Sequence, residues 1–170
     1  MMKSVARRLL LVAGGLLFLL ATSNEQLATV LAAEDLSALE TAFLKGKYEQ
    51  VLIASQPLLG RAEVEQDTVL YLRGISFLKV RNLEQAGSSL QKILTRYPQS
   101  RWLPYAWMGL GATWKAAGQP ARALEVYQSL IRSERAGPLK PQVAFRIAQL
   151  QQELGRWNEA KSSLHQVVHQ

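Results

Sequence analysis

Three segments of this chain repeat the same residue types at a nearly fixed step, and this limits the fold more than any other feature. In the clearest one, Trp107-x-x-Leu110-Gly111-x-x-Trp114 is followed by Gly118, Ala123 and Tyr127. Arg81, Gly118 and Gly155 hold one slot in successive segments. Ala86, Ala123 and Ala160 follow five residues later, and Leu90, Tyr127 and Leu164 nine residues later. A fainter first copy places Gly46, Val51 and Ser55 in these slots, and the steps between slots are 35, 37 and 37 residues. Each copy reads as two antiparallel helices about a turn. One such hairpin cannot bury its own apolar face; stacked copies bury it for each other.

The small residues explain how the helices approach. Gly74, Gly111 and Ala148 supply a small position on the first helix of three units, and Ala86, Ala123 and Ala160 on the second. Phe77, Trp114, Tyr127 and Trp157 are then expected to fill the space between units. The predicted fold is all-α, a right-handed solenoid of about four hairpins over residues 35–170, with units near 35–59, 67–96, 102–132 and 141–169. Residues 24–34 read as a linker. Asp67 is the expected N-cap of the second unit, and Pro120 fits a first helical turn. Ser133–Pro141, with Gly137 and Pro138, reads as a connector.

The N-terminus carries a separate message. Lys3, Arg7 and Arg8 precede an apolar run from Leu9 to Ala21. A basic start followed by about 7–15 apolar residues describes a secretory signal peptide. Residues 1–23 therefore read as a cleaved leader or, alternatively, as a membrane anchor through residues 9–23. Ala21-Thr22-Ser23 and Val30-Leu31-Ala32 both fit a small-x-small cleavage site. Either reading exports the repeats, since the positive flank stays inside. The chain has no cysteine, which excludes disulfides, thiolate zinc sites, a thiol nucleophile and a lipid-modified N-terminal cysteine. Charge is uneven. Residues 24–67 hold three cations against eight acids, whereas residues 68–170 hold fourteen against five. The cations are dispersed without an arginine cluster, so the basic second half reads as a solvated surface or, alternatively, as one attracted to an acidic protein, anionic lipid or cell-wall polymer, and nucleic acid is not an expected partner.

The 34-residue-like period and the W-x-x-L-G…A grammar resemble the tetratricopeptide repeat. Arg96-Tyr97-Pro98-Gln99-Ser100, then Pro104 and Trp107-Met108-Gly109-Leu110-Gly111, is more specific. It resembles the Tyr-Pro-x-Ser joint of two bacterial envelope families, the Tol–Pal-associated cell-division coordinator and the outer-membrane assembly lipoprotein. The likeness covers about Asp67 to Gln170. It implies a periplasmic, non-enzymatic adaptor that holds envelope proteins together; the alternative, if the apolar run stays uncleaved, is a membrane-tethered structural subunit of a secretion, outer-membrane or cell-wall assembly.

In such a solenoid the first helix of each unit lines an inner groove. Helical phase about Gly74, Gly111 and Ala148 selects Tyr71, Ile75, Tyr105, Met108, Phe145 and Gln149, with Lys79 and Lys115 one turn on. An aromatic and apolar groove with some positive charge suits an extended peptide or amphipathic helix. Of the four tryptophans, Trp102 at a loop edge is the one expected outside the packing slots. His165 and His169 share a helix face but lack the further ligands a metal needs. No nucleophile elbow, phosphate loop or zinc-protease motif is present. No catalytic, cofactor or metal site is expected.

Overall fold

A computed structural model describes residues 24–168. The leader, its apolar run and His169 lie outside the described residues. The helices are α1 (Asn24–Leu44), α2 (Tyr48–Ser55), α3 (Gln66–Lys79), α4 (Leu83–Arg96), α5 (Leu103–Ala116), α6 (Pro120–Arg132), α7 (Lys140–Glu153) and α8 (Trp157–Val168). Short 3₁₀ segments follow α2 (Gln56–Leu58) and α6 (Glu134–Leu139). The described residues contain no strand, and the helices pair in order as four hairpins.

The turn slots read from the sequence are the left-handed residues of these hairpins. Gly46, Gly118 and Gly155 have φ of 68°, 71° and 74°, and Arg81 adopts 65° in the same place. An L-residue there crowds its Cβ against a carbonyl, at about 1–2 kcal/mol. Glycine removes that strain but adds unfolded-chain freedom worth about 0.5–1 kcal/mol. Arg81→Gly should therefore stabilise the protein by a net of about 0.5–1 kcal/mol. A urea midpoint that falls instead, at constant slope, would show that the arginine side chain contributes more than its strain costs.

Small residues act as the repeat requires. A Cβ on Gly74 would stand 2.7 Å from Leu90 Cγ, and one on Gly111 would enter the Tyr127 ring. Gly109, not singled out in the sequence, does the same between units: its Cβ would lie 2.8 Å from Ile75 Cδ1 and 3.0 Å from Leu90 Cδ1. Three apolar clusters result. Val51, Val69 and Leu72 belong to the first, Leu90, Ile93 and Ala106 to the second, and Leu124, Tyr127 and Ile147 to the third.

Several expectations need correction. Residues 24–34 are the first half of α1 and not a linker. They contain no Gly or Pro and are rich in Ala and Leu, which sustains a helix, and Ala32 is buried beside Leu58 and Val64. Asp67 does not cap α3. That helix begins at Gln66, Glu65 precedes it without a side-chain cap, and the Asp67 carboxylate accepts only from the adjacent Thr68 N–H at 2.9 Å. Gln66 instead ties down the preceding turn. Its Nε2–H donates to Leu58 O and Arg61 O, and its Oε1 accepts from Gly60 N–H, each at 2.9 Å. The Ser133–Pro141 connector holds a 3₁₀ segment with buried Ala136, and it kinks at Gly137 (φ 42°). Trp157 fills no inter-unit space: it is 66% exposed, because no unit follows α8 among the described residues to cover it.

Candidate protein-binding groove

The first helices of neighbouring units touch directly, α1 with α3 and α3 with α5. Such contact marks that side as the inner face of the solenoid. On it, five rings from three units form a connected set. Phe43 lies 5.9 Å from Tyr48 and 6.4 Å from Tyr71. Tyr71 stacks on Trp102 with centroids 4.3 Å apart and planes within 11°. Tyr105 meets Tyr71 at 6.3 Å and Trp102 at 6.0 Å, both edge-on. Burial pushes the Tyr71 hydroxyl above the ordinary tyrosine range, and neighbouring Tyr105 adds to that rise.

Local chemistry holds this surface in place. The Tyr97-Pro98-Gln99-Ser100 joint closes on itself: Ser100 N–H donates to Tyr97 O at 2.9 Å, and Ser100 Oγ accepts from Trp102 N–H at 3.0 Å. This turn delivers Trp102 to the start of α5. The indole Nε1–H then donates to Thr68 Oγ1 at 2.8 Å, and Thr68 in turn donates to Glu65 Oε2 at 2.9 Å. The indole is thus tied at one edge and stacked on one face, which limits its motion. Arg101 lies 5.0 Å over the same indole and 3.3 Å from Glu65.

The residues selected by helical phase separate into groups. Tyr71 is half-buried within the aromatic set, and Tyr105 is 42% exposed at its edge. Ile75 is half-buried against the second cluster. Met108 is half-buried against the third cluster, and its carbonyl accepts from the Tyr127 hydroxyl at 3.2 Å. Phe145 stands 53% exposed, and no ring contact joins it to the aromatic set. Gln149 is half-buried and Lys79 exposed. Lys115 is engaged by Glu153 of the next unit. The connector Glu134–Leu139 packs against both α5 and α7, between the units that carry Tyr105 and Phe145. Sequence phase missed Trp102 and Phe43 as surface-forming residues. Trp102 precedes its helix, where helical phase gives no direction.

Among the described residues no cluster of three His, Cys, Asp or Glu could hold a metal. None of the described helices is long and apolar enough to cross a membrane.

A family model for the tetratricopeptide repeat matches residues 68–100, 105–134 and 142–170, more than half of the sequence. The chain belongs to the tetratricopeptide-repeat family, whose arrays present extended concave surfaces to other proteins. No curated protein matches the sequence. Among solved structures, MamA AMB-1 superposes with a TM-score of 0.64 at 19% identity, over 84% of this chain and 73% of the other. MamA MSR-1 gives 0.60 at 17%, over 86% and 76%. TTC0263, a thermophilic TPR protein in Thermus thermophilus, gives 0.62 at 19%, over 81% and 73%. At such identities the likeness shows the fold.

Proposed function

We propose that this protein is an exported, non-enzymatic adaptor of the bacterial envelope that holds a segment of a partner protein on its inner face. The observation that carries the binding surface is the ring set around Tyr71, Trp102 and Tyr105. It spans units and is partly open to solvent, a combination typical of aromatic anchor sites at interfaces. The Tyr-Pro-x-Ser joint that resembles envelope repeat proteins is the turn that positions Trp102. Export rests on the basic start and apolar run of the leader. Of the two candidate cleavage sites, the one at Ala21-Thr22-Ser23 leaves α1 whole. A cut after Ala32 would divide α1 and detach a buried core residue.

Two measurements test this reading. Crosslinking in intact cells should capture envelope proteins with the native chain. It should lose them with Tyr105→Ala, while the helical circular-dichroism signal persists. An aromatic anchor contributes about 2 kcal/mol or more, so affinity should fall by more than tenfold. Capture that survives Tyr105→Ala but disappears when 157–170 are deleted would move the binding surface to the end of the array. Mass spectrometry of the native protein should find a mature N-terminus near residue 24. An intact Met1 in the membrane fraction would instead establish the tethered subunit.

A further inference from the structure

We propose that the N-terminal half of the groove takes a basic side chain, a lysine or arginine of the partner segment, between Glu40 and the exposed ring of Tyr105. The inference rests on the groove reading above and adds the chemistry of its occupant.

An open cleft of about 520 Å³ is lined by Glu40, Arg101, Trp102 and Tyr105. Glu40 comes from α1, while the other three come from α5 and the turn before it, so units one and three both border the cleft. Glu40 is half-buried, yet its carboxylate has no hydrogen bond or ion pair within the described residues. Arg101 lines the same cleft, but Glu65 and the Trp102 ring already engage it. The uncompensated charge in the cleft is therefore negative. Lys79 and Lys115, the cations expected in the groove, do not line the cleft, and Lys115 is paired with Glu153.

Aromatic faces attract cations through their quadrupoles, and a lysine or arginine stem can lie along apolar rings while its head reaches a carboxylate. Tyr71 and Arg101 already engage the Trp102 ring, which leaves Tyr105, 42% exposed, as the receiving ring. Tyr105 is braced edge-on by Tyr71 and Trp102, so little ordering is needed when such a side chain binds. An acidic side chain would meet Glu40 and find no free cation. The long-range field agrees, since residues 24–67 carry a net charge of −5 and would steer a basic segment toward this end.

The test uses the full chain and three blocked heptapeptides that differ only at a central lysine, glutamine or glutamate, titrated by isothermal calorimetry. The lysine peptide should bind at least about fivefold more tightly than the glutamine peptide, and glutamate most weakly. Glu40→Gln, an isosteric change at a side chain without partners, should abolish the lysine preference while leaving the glutamine peptide unaffected. Tyr105→Ala should weaken all three. Added salt should weaken only the lysine peptide. If all three bind equally, or the preference survives Glu40→Gln, the basic-side-chain inference fails while the groove reading stands. If none binds and Tyr105→Ala also leaves partner capture intact, both fail.

Discussion

Replacing Gly111 with alanine is expected to lower the melting temperature by roughly 4–8 °C, although alanine is the better helix former. The intrinsic preference favours the substitution by about 1 kcal/mol. Against it stands the geometry. The new Cβ would fall 2.5 Å from Tyr127 Cζ and 2.9 Å from Cδ1, and still closer to Cε1. The obstacle is the body of a rigid ring, 1% exposed, whose hydroxyl donates to Met108 O at 3.2 Å. The ring can yield only by breaking that bond and displacing α6. Overpacking of this kind typically costs about 1–3 kcal/mol, and a rigid obstacle places it at the upper end. The net is about 2 kcal/mol, or roughly 4–8 °C for a domain of this size. A control is built into the helix. Gly109→Ala meets the ends of two flexible side chains, Ile75 and Leu90, and should cost less. Truncating the obstacle should also couple to the substitution. In a double-mutant cycle, Gly111→Ala should cost less on a Tyr127→Leu background than on the native one. Equal melting temperatures for Gly111→Ala and the native protein would mean that α5 and α6 do not meet at this point.

The reason Gly111 could be singled out from sequence is also the reason other features could not. A contact that every unit repeats leaves a periodic trace. The turn residues Gly46, Arg81, Gly118 and Gly155 were legible as one slot, and all four have positive φ. The small positions Gly74 and Gly111 were legible in the same way, though not that Leu90 and Tyr127 are the side chains that close on them. What happens once leaves no such trace. The first half of α1 has no counterpart in the other units, and its apolar residues do not fall on one clear stripe. The ring set joins Phe43, Tyr71 and Trp102, which occupy different slots in their units, and Trp102 lies just before its helix. Trp157 follows a repeat slot, but at the end of the array that slot has no neighbour among the described residues to bury it. Helical phase placed Tyr71 and Tyr105 together. It could not show that a connector packs between the units bearing Tyr105 and Phe145.

Arg73 belongs to this second kind, and its removal is expected to free the first unit from the array. The side chain is buried at the joint between units one and two. Its Nη1–H groups donate to Leu52 O at 3.1 Å and Ser55 Oγ at 2.7 Å, and Nη2–H donates to Gln56 Oε1 at 3.1 Å. The guanidinium also lies 5.3 Å from the Phe77 ring centroid. No carboxylate pairs with it among the described residues. Burial lowers its affinity for the proton, so charge at this site is tolerated because neutral acceptors and a ring surround it. Those acceptors come from the end of α2, the shortest α-helix of the array, and the 3₁₀ turn after it. α2 has only eight residues, and only Val51 and Ser55 are buried. Arg73→Ala removes three charge-assisted hydrogen bonds and leaves a void, for a loss of about 3 kcal/mol. Arg73→Lys keeps the charge but has no planar fork to reach acceptors spread from Leu52 to Gln56, and should lose about half as much. Because a solenoid is held by nearest-neighbour interfaces, the damage should remain local. Amide exchange should accelerate through α1 and α2 in Arg73→Ala while α6 to α8 keep their protection. Uniform acceleration along the chain would show that the four hairpins unfold as one unit. Unchanged exchange in α1 would show that the apolar contacts of Leu39, Val51 and Val69 hold the first unit without the arginine.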